Sequence, residues 1–380
     1  MKDFIFHNPT KIIFGKTALQ KLSENASVYG KKIALTYGKG SIKQNGLYDK
    51  VMAELKGFEV REFGGIEPNP RVETIRKAIE EFRDFNPDLI LAVGGGSVID
   101  GSKLISAALH YTGDPWDILI NSPAKPKHYV PLATVLTFAA TCSEMDSFAV
   151  ITNWETHEKL AFSRDEVYPK FSILNPEFTY SVSREQTAYG LVDAFSHVLE
   201  QYLTISENVM LQDRWAESLL TTMKENALTV LENPTDYHYR STAMYSATMA
   251  LNGFISMGVN QDWATHEIEH ELSAFYDIPH GAGLAIITPR WMRVMKAEKL
   301  PKLAQFGRRV WGLAGDEDEM AEGAIQKTFD FFESLGIRMN AAEWGITDEH
   351  FPVMTGRLEE RQVGEIPLTV KQIRAILTSI

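Results

Sequence analysis

The chain has 380 residues, 44% of them hydrophobic and 23% charged, with a formal net charge of −12. At ~100–200 residues per domain that length suggests two domains, each with enough apolar material for a core, and the acidic balance argues against nucleic acid or anionic lipid as a partner. A single cysteine, Cys142, excludes an intramolecular disulfide and a thiolate-rich zinc site and suits a reducing compartment.

The opening MKDFIFHNPTKIIFG has no apolar core of signal-peptide length, and no run of about 18 apolar residues follows it, so a cytoplasmic protein is expected. KIALTY (32–37) is the first strand-like run. It leads into TYGKGSIK (36–43), where Gly38 and Gly40 open the turn and Lys39, Ser41 and Lys43 make it a candidate anion site. An acidic residue at the end of such a strand would favour a free ribose 2′-OH; its absence here favours the 2′-phosphate of NADP(H). FEVREF (58–63) and LILAV (89–93) are further strands, with an amphipathic helix over VETIRKAIEEFRDF (72–85) between them. PLATVLT (131–137) and SFAVIT (147–152) continue the strand series. Strand–helix alternation predicts a parallel sheet flanked by helices over residues 1–180.

LILAV runs directly into Gly94-Gly95-Gly96-Ser97 and a helix, with Ser97 the expected N-cap. Glycines without Cβ atoms let a ligand approach the backbone, and a helix N-terminus offers free N–H groups and a positive dipole end, which together describe a diphosphate site. The run is neither G-x-G-x-x-G, since the third position is Ile99, nor a P-loop, since no Gly-Lys-Ser/Thr follows at the right spacing.

From about residue 180 the texture becomes helical: SREQTAYGLVDAFSHVLEQYLT, VMLQDRWAESLLTTMKENALTVLE, YRSTAMYSATMALNGF, WATHEIEHELSAFY, KLPKLAQFGRRVWGL and GAIQKTFDFFESLG all carry period-3.6 apolar faces. Residues 181–380 are therefore read as an all-helical domain, with the cleft between the halves as the default place for a site. Asp193 and His197 stand four residues apart, so a helix puts both on one face; His266 and His270 repeat that spacing. His280 follows in DIPHG, where Pro and Gly can turn it back toward the cluster. One carboxylate with imidazoles and no thiolate suits a divalent ion such as Fe²⁺ or Zn²⁺.

HEIEH (266–270) also matches the zinc-peptidase pattern H-E-x-x-H. The metzincin continuation is missing, with Ser273 and Tyr276 at the required Gly and His positions, and the downstream Glu298 lies in a charged, solvated-looking stretch. A peptidase would also leave the glycine run and Asp193/His197 without a role.

Taken together, NPTKIIFG, GGGSVIDGSK, SREQTAYGLVDAFSHVLEQYL and HEIEHELSAFYDIPHGAGLAIITPRWM resemble the iron-containing alcohol dehydrogenase family, nearest its branch of NADPH-dependent butanol dehydrogenases and aldehyde reductases. The resemblance implies a dehydroquinate synthase-like fold, with an N-terminal dinucleotide-binding α/β domain and an all-helical metal-binding domain. It also implies interconversion of primary alcohols and aldehydes, and a homodimer. It carries over Asp193, His197, His266 and His280 as metal ligands, and His270 as a residue near the nicotinamide. It assigns the diphosphate to Gly95, Gly96 and Ser97 with Asp100 close by, further cofactor contacts to Thr137, Thr141 and Ser143, and the ribose to Lys159. His270 is a candidate proton relay, since an ordinary histidine titrates near neutrality. Cys142 stands where many relatives carry glycine, which raises a question about the backbone there. Phe254, Trp263 and Tyr276 suggest an apolar substrate. Alternatives are a polyol dehydrogenase or lyase of the same fold and a nucleotide-binding sensor with a structural metal.

Overall fold

The structure is a computed structural model that describes residues 1–120 and 126–380. It divides into two compact units: His7–Val182 with Thr235–Met244, and Met1–Phe6 with Ser183–Pro234 and Tyr245–Ile380.

The first unit is α/β. Its strands are β1 (Lys11–Phe14), β2 (Lys32–Tyr37), β3 (Glu59–Gly64), β4 (Leu89–Gly94), β5 (Leu132–Leu136), β6 (Phe148–Asn153), β7 (Glu158–Ser163) and β8 (Phe171–Leu174). Its helices are α1 (Leu22–Ala26), α2 (Ser41–Gln44), α3 (Leu47–Glu54), α4 (Val72–Arg83) and α5 (Gly96–Ala108). Six strands form one sheet in the order β1-β8-β5-β4-β2-β3, with every pairing parallel. Parallel strands covered on both faces read as unbroken apolar runs, and β4 is buried throughout. Alternate residues serve two cores. Ile33, Leu35 and Val93 pack with Leu22, Leu47 and Val51, whereas Ala34, Ile90 and Ala92 pack with Ile75, Phe82, Ile99 and Leu104. Helix α4 reaches the second core with Val72, Ile75, Ala78, Ile79 and Phe82, one stripe of a 3.6-residue period.

The strand expected at 147–152 forms as β6, but it lies outside the parallel sheet and pairs antiparallel with β7. The cause is local. Asn153 Oδ1 accepts the N–H groups of Glu155 and Thr156 at 3.1 and 3.3 Å, and His157 adopts φ 50°, so the chain reverses and closes a hairpin. Strands β1 and β8 are only four residues long and are recognisable only through their pairing with each other and of β8 with β5.

The second unit is helical: α6 (Arg184–Tyr202), α7 (Met210–Glu232), the end of α8 (Tyr237–Ala250), α9 (Ala264–Tyr276), α10 (His280–Val294), α11 (Lys296–Arg309), α12 (Glu317–Ser334), α13 (Phe351–Arg361) and α14 (Val370–Thr378). Helix α10 is buried along most of its length, from Gly281 through Pro289, and carries Pro289 within it. None of the described helices is long and apolar enough to cross a membrane.

Candidate metal and cofactor site

In the α/β unit the strand order reverses between β2 and β4. Strand β2 leads to α2 and α3 on one face of the sheet, and β4 leads to α5 on the other. Open α/β sheets bind ligands beyond the carboxyl ends of their strands at such a switch point. The register pairs Tyr37 with Val93, so the Gly38–Ser41 turn and the Gly94–Gly96 turn leave the sheet side by side. Lys39 and Ser41 are exposed there, and Gly40 sits at φ 105°, a conformation that disfavours a side chain. Lys43 is held by Glu62 at 3.3 Å and lies over the rings of Tyr37 and Tyr48.

Ser97 is not the N-cap of α5. Gly95 is, and its carbonyl accepts from Val98 and Ile99, both at 3.1 Å. The glycines are also demanded by internal packing. A Cβ would fall 2.5 Å from Val98 at Gly94, 2.8 Å from Phe138 at Gly95 and 2.4 Å from Thr141 Oγ1 at Gly96. Only small residues therefore let the β4 turn lie against the segment after β5, leaving the first-turn N–H groups of α5 beside Thr141.

Several of the other expected cofactor residues stand around this helix start, and Lys159 contacts Asn69 instead. Ser143 N–H donates to Thr141 Oγ1 at 3.2 Å, and Ser143 Oγ donates to Asp100 Oδ1 at 2.5 Å. Val150 N–H donates to the second Asp100 oxygen at 2.9 Å, so Asp100 ties α5 to the β6 hairpin. Thr137 N–H continues the sheet by donating to Gly94 at 3.0 Å. Lys159 on β7 is buried and donates to Asn69 Oδ1 at 3.1 Å. Cys142 is buried at φ 60°, a left-handed backbone that glycine would adopt without strain.

In the helical unit, Asp193, His266 and His280 bring ligand atoms within 4.8 Å of one another. His197 stands beside this trio, with Nε2 3.5 Å from Asp193 Oδ1 and its ring stacked on His266 at 4.7 Å. His280 Nε2 is 3.7 Å from the same Asp193 oxygen. Close helix packing permits this. A Cβ on Gly281 would fall 2.1 Å from Tyr189 O, so only glycine lets the start of α10 lie against α6. The residues fit a divalent metal on two counts: the donors are carboxylate and imidazole, and Asp193 Oδ1 is buried without a hydrogen bond although imidazoles stand around it. Burial pushes the His197 imidazolium down to about 3, which leaves the neutral ring that coordination requires.

Sequence reasoning missed two carboxylates. Glu200 Oε1 lies 3.2 Å from His266 Nδ1, and Glu269 Oε2 hydrogen-bonds His280 Nδ1. Their signal was helical spacing: 193, 197 and 200 share one face, as do 266, 269 and 270. Burial pushes the Glu200 carboxyl up to about 7 against the pull of Thr265 and the backbone N–H groups that it accepts. His270 is buried with its ring 5.6 Å from His280, and it falls in a second grouping with Glu269 and His280 apart from Asp193. Glu267 pairs with Arg361 at 3.3 Å, an arrangement unlike a peptidase base. Of the three aromatics, only Trp263 borders the histidines, 5.1 Å from His266. Phe254 instead packs on Trp215 at 4.3 Å, and Tyr276 donates to Thr347 O at 2.7 Å.

A family model described as iron-containing alcohol dehydrogenase matches residues 9–176, and the C-terminal model of the same family matches residues 187–380. The chain is 47% identical over 362 residues to the probable NADH-dependent butanol dehydrogenase 1 of Bacillus subtilis (strain 168), covering 94% of this chain and 93% of that one. It is 42% identical over 371 residues to the NADPH-dependent aldehyde reductase YqhD of Escherichia coli (strain K12), covering 96% of each. The crystal structure of E. coli K-12 YqhD matches with a TM-score of 0.96 at 41% identity, covering 100% of this chain and 98% of that one.

Proposed function

Because the chain belongs to the iron-containing alcohol dehydrogenase family, we propose that it interconverts primary alcohols and aldehydes with NADP(H) and a divalent metal held by Asp193, His197, His266 and His280. The convergence of Asp193, His266 and His280 carries the reading, since no structural need explains a buried carboxylate among imidazoles.

When bound, the metal supplies Lewis acidity toward the substrate oxygen and the dinucleotide supplies the reducing equivalents. The N–H groups at the start of α5, in Gly96 and Ser97, bind the diphosphate. Thr141 and Ser143 line that approach, and Asp100 holds Ser143 in place. His270 moves the proton to or from the substrate oxygen. Trp263 keeps water from the imidazoles. Support for the 2′-phosphate comes from the β2 turn, which offers Lys39 and Ser41 and no carboxylate. The relatives divide on this point, one being named for NADH and another for NADPH. A homodimer in the cytoplasm completes the reading, consistent with the lone buried Cys142; light scattering tests the dimer.

The test is a panel of aldehydes assayed with NADPH and NADH before and after metal removal. A kcat/KM at least tenfold higher with NADPH is expected, as is loss of activity on demetallation. Equal or better use of NADH overturns the cofactor assignment, and full activity without metal overturns the metal assignment.

A further inference from the structure

Two carboxylates touch the Nδ1 atoms of two proposed ligand histidines. Glu200 is 2% exposed and Glu269 fully buried. Glu200 Oε1 faces His266 Nδ1 at 3.2 Å and also accepts the N–H groups of Thr265 and His266 at 2.9 and 3.2 Å. The Thr265 hydroxyl donates to the same oxygen, and Trp263 N–H donates to the other at 3.0 Å. Glu200 thus fixes the first turn of α9 and the His266 ring together. Glu269 accepts from Ser273 Oγ through one oxygen and lies within hydrogen-bond reach of His280 Nδ1 through the other. Gly283 leaves room for it, since a Cβ there would fall 2.6 Å from Glu269 Cγ.

We propose that Glu200 and Glu269 are the positioning residues of the metal site, each holding one histidine with Nδ1–H donated outward so that Nε2 is presented to the metal. The inference rests on the metal reading above. Glu200 already accepts three backbone N–H groups and the Thr265 hydroxyl, and Glu269 accepts the Ser273 hydroxyl, so each carboxylate is set as an acceptor; a neutral imidazole has one donor and one acceptor nitrogen. Donation from Nδ1 therefore leaves the lone pair on Nε2, the nitrogen that His280 holds 3.7 Å from Asp193. The two contacts form a series along the fold: α6 carries Asp193, His197 and the carboxylate for His266 of α9, and α9 in turn carries the carboxylate for His280 at the start of α10. Each helix thereby orients a ligand on the next.

The experiment titrates metal-free full-length protein with Zn²⁺ against a chromophoric chelator, for wild type, Glu200→Gln and Glu269→Gln, and follows the melting temperature of each metal-free form. A tenfold to hundredfold loss of Zn²⁺ affinity in both variants, with metal-free melting close to wild type, is the expected result. Wild-type affinity in the variants, or a drop in melting temperature with affinity retained, overturns the inference and leaves the metal reading standing. A wild type that takes up no Zn²⁺ overturns the metal reading and the inference with it. Where a variant does not fold, the imidazole ¹⁵N shifts of the wild type decide: Nδ1–H tautomers are expected at His266 and His280, and Nε2–H at either one overturns the assignment for that residue.

Discussion

Ser143 Oγ donates to Asp100 Oδ1 at 2.5 Å, while the other Asp100 oxygen accepts Val150 N–H at 2.9 Å. One side chain on α5 therefore holds both the segment after β5 and the β6 hairpin. Asp100→Ala leaves Val150 N–H and the Ser143 hydroxyl without this acceptor. A buried donor without an acceptor costs about 1–3 kcal/mol, so chemical denaturation should show a loss of that size. The KM for NADPH should rise with it. An unchanged midpoint in the variant would show that the clip carries no stability.

Gly96→Ala should damage the same corner by a different route. The added Cβ meets Thr141 Oγ1 at 2.4 Å, and overpacking of this kind costs about 1–3 kcal/mol. The double variant Gly96→Ala/Thr141→Ala should recover much of the lost stability without recovering NADPH affinity. If the double variant is no more stable than the single one, the clash is not with Thr141.

Cys142 offers a reversal of the usual order of substitutions. At most positions glycine is less stable than alanine, because it loses more backbone freedom on folding. Cys142 sits at φ 60°, where a Cβ costs about 1–2 kcal/mol. Cys142→Gly should therefore be more stable than Cys142→Ala by about 1 kcal/mol, measured as a difference in unfolding midpoint. The same comparison separates backbone strain from loss of the buried thiol, which both variants share.

His270 and His280 are separated by metal content. His280→Ala and His266→Ala should lose the metal, read by elemental analysis of the purified protein. His270→Ala should keep one metal per chain and lose activity by about 10²–10⁴-fold, the range for removal of a group that transfers a proton. Loss of metal in His270→Ala would make His270 a ligand.

Asp114 gives the acid dependence of folding. It caps the turn at Pro115–Ile118 through Trp116 N–H and is held by Arg76 at 2.8 Å, which keeps its carboxyl below the ordinary range. A lowered folded value means that the stabilisation is present above about 4, the ordinary carboxylate value, and is lost as pH falls through the folded value. The pair is partly exposed and screened, so about 0.5 kcal/mol is expected at pH 7. Asp114→Asn retains the cap and removes the charge. Its stability should trail wild type at pH 7 and converge with it as pH falls below the ordinary carboxylate range, as followed by urea denaturation.

The elements that were legible in advance are those whose signal is local. KIALTY and LILAV are continuous apolar runs because both faces of their sheet are covered, and the stripe Val72, Ile75, Ile79, Phe82 announces α4. Helix α10 was not read in advance, because Pro289 stands within it and proline argues against a helix interior. The strand at 147–152 was found but counted with the parallel sheet, whereas its antiparallel pairing is decided by the turn at Asn153–His157.

For the site, the sequence alone determined the residue types: glycines after β4, a β2 turn without an acid, and Asp193, His197, His266 and His280 at helical spacings that allow convergence. Spacing within one helix specifies a face, and that much is local geometry. What only the tertiary structure decided is which faces meet. Glu200 reaches His266 across 66 residues of sequence, and Glu269 reaches His280 only because Gly283 leaves space for it. The two glycine turns became one corner through a strand order that reverses between β2 and β4. These relationships depend on packing between distant elements, where a single missing Cβ sets the approach, and no local period in the chain encodes them.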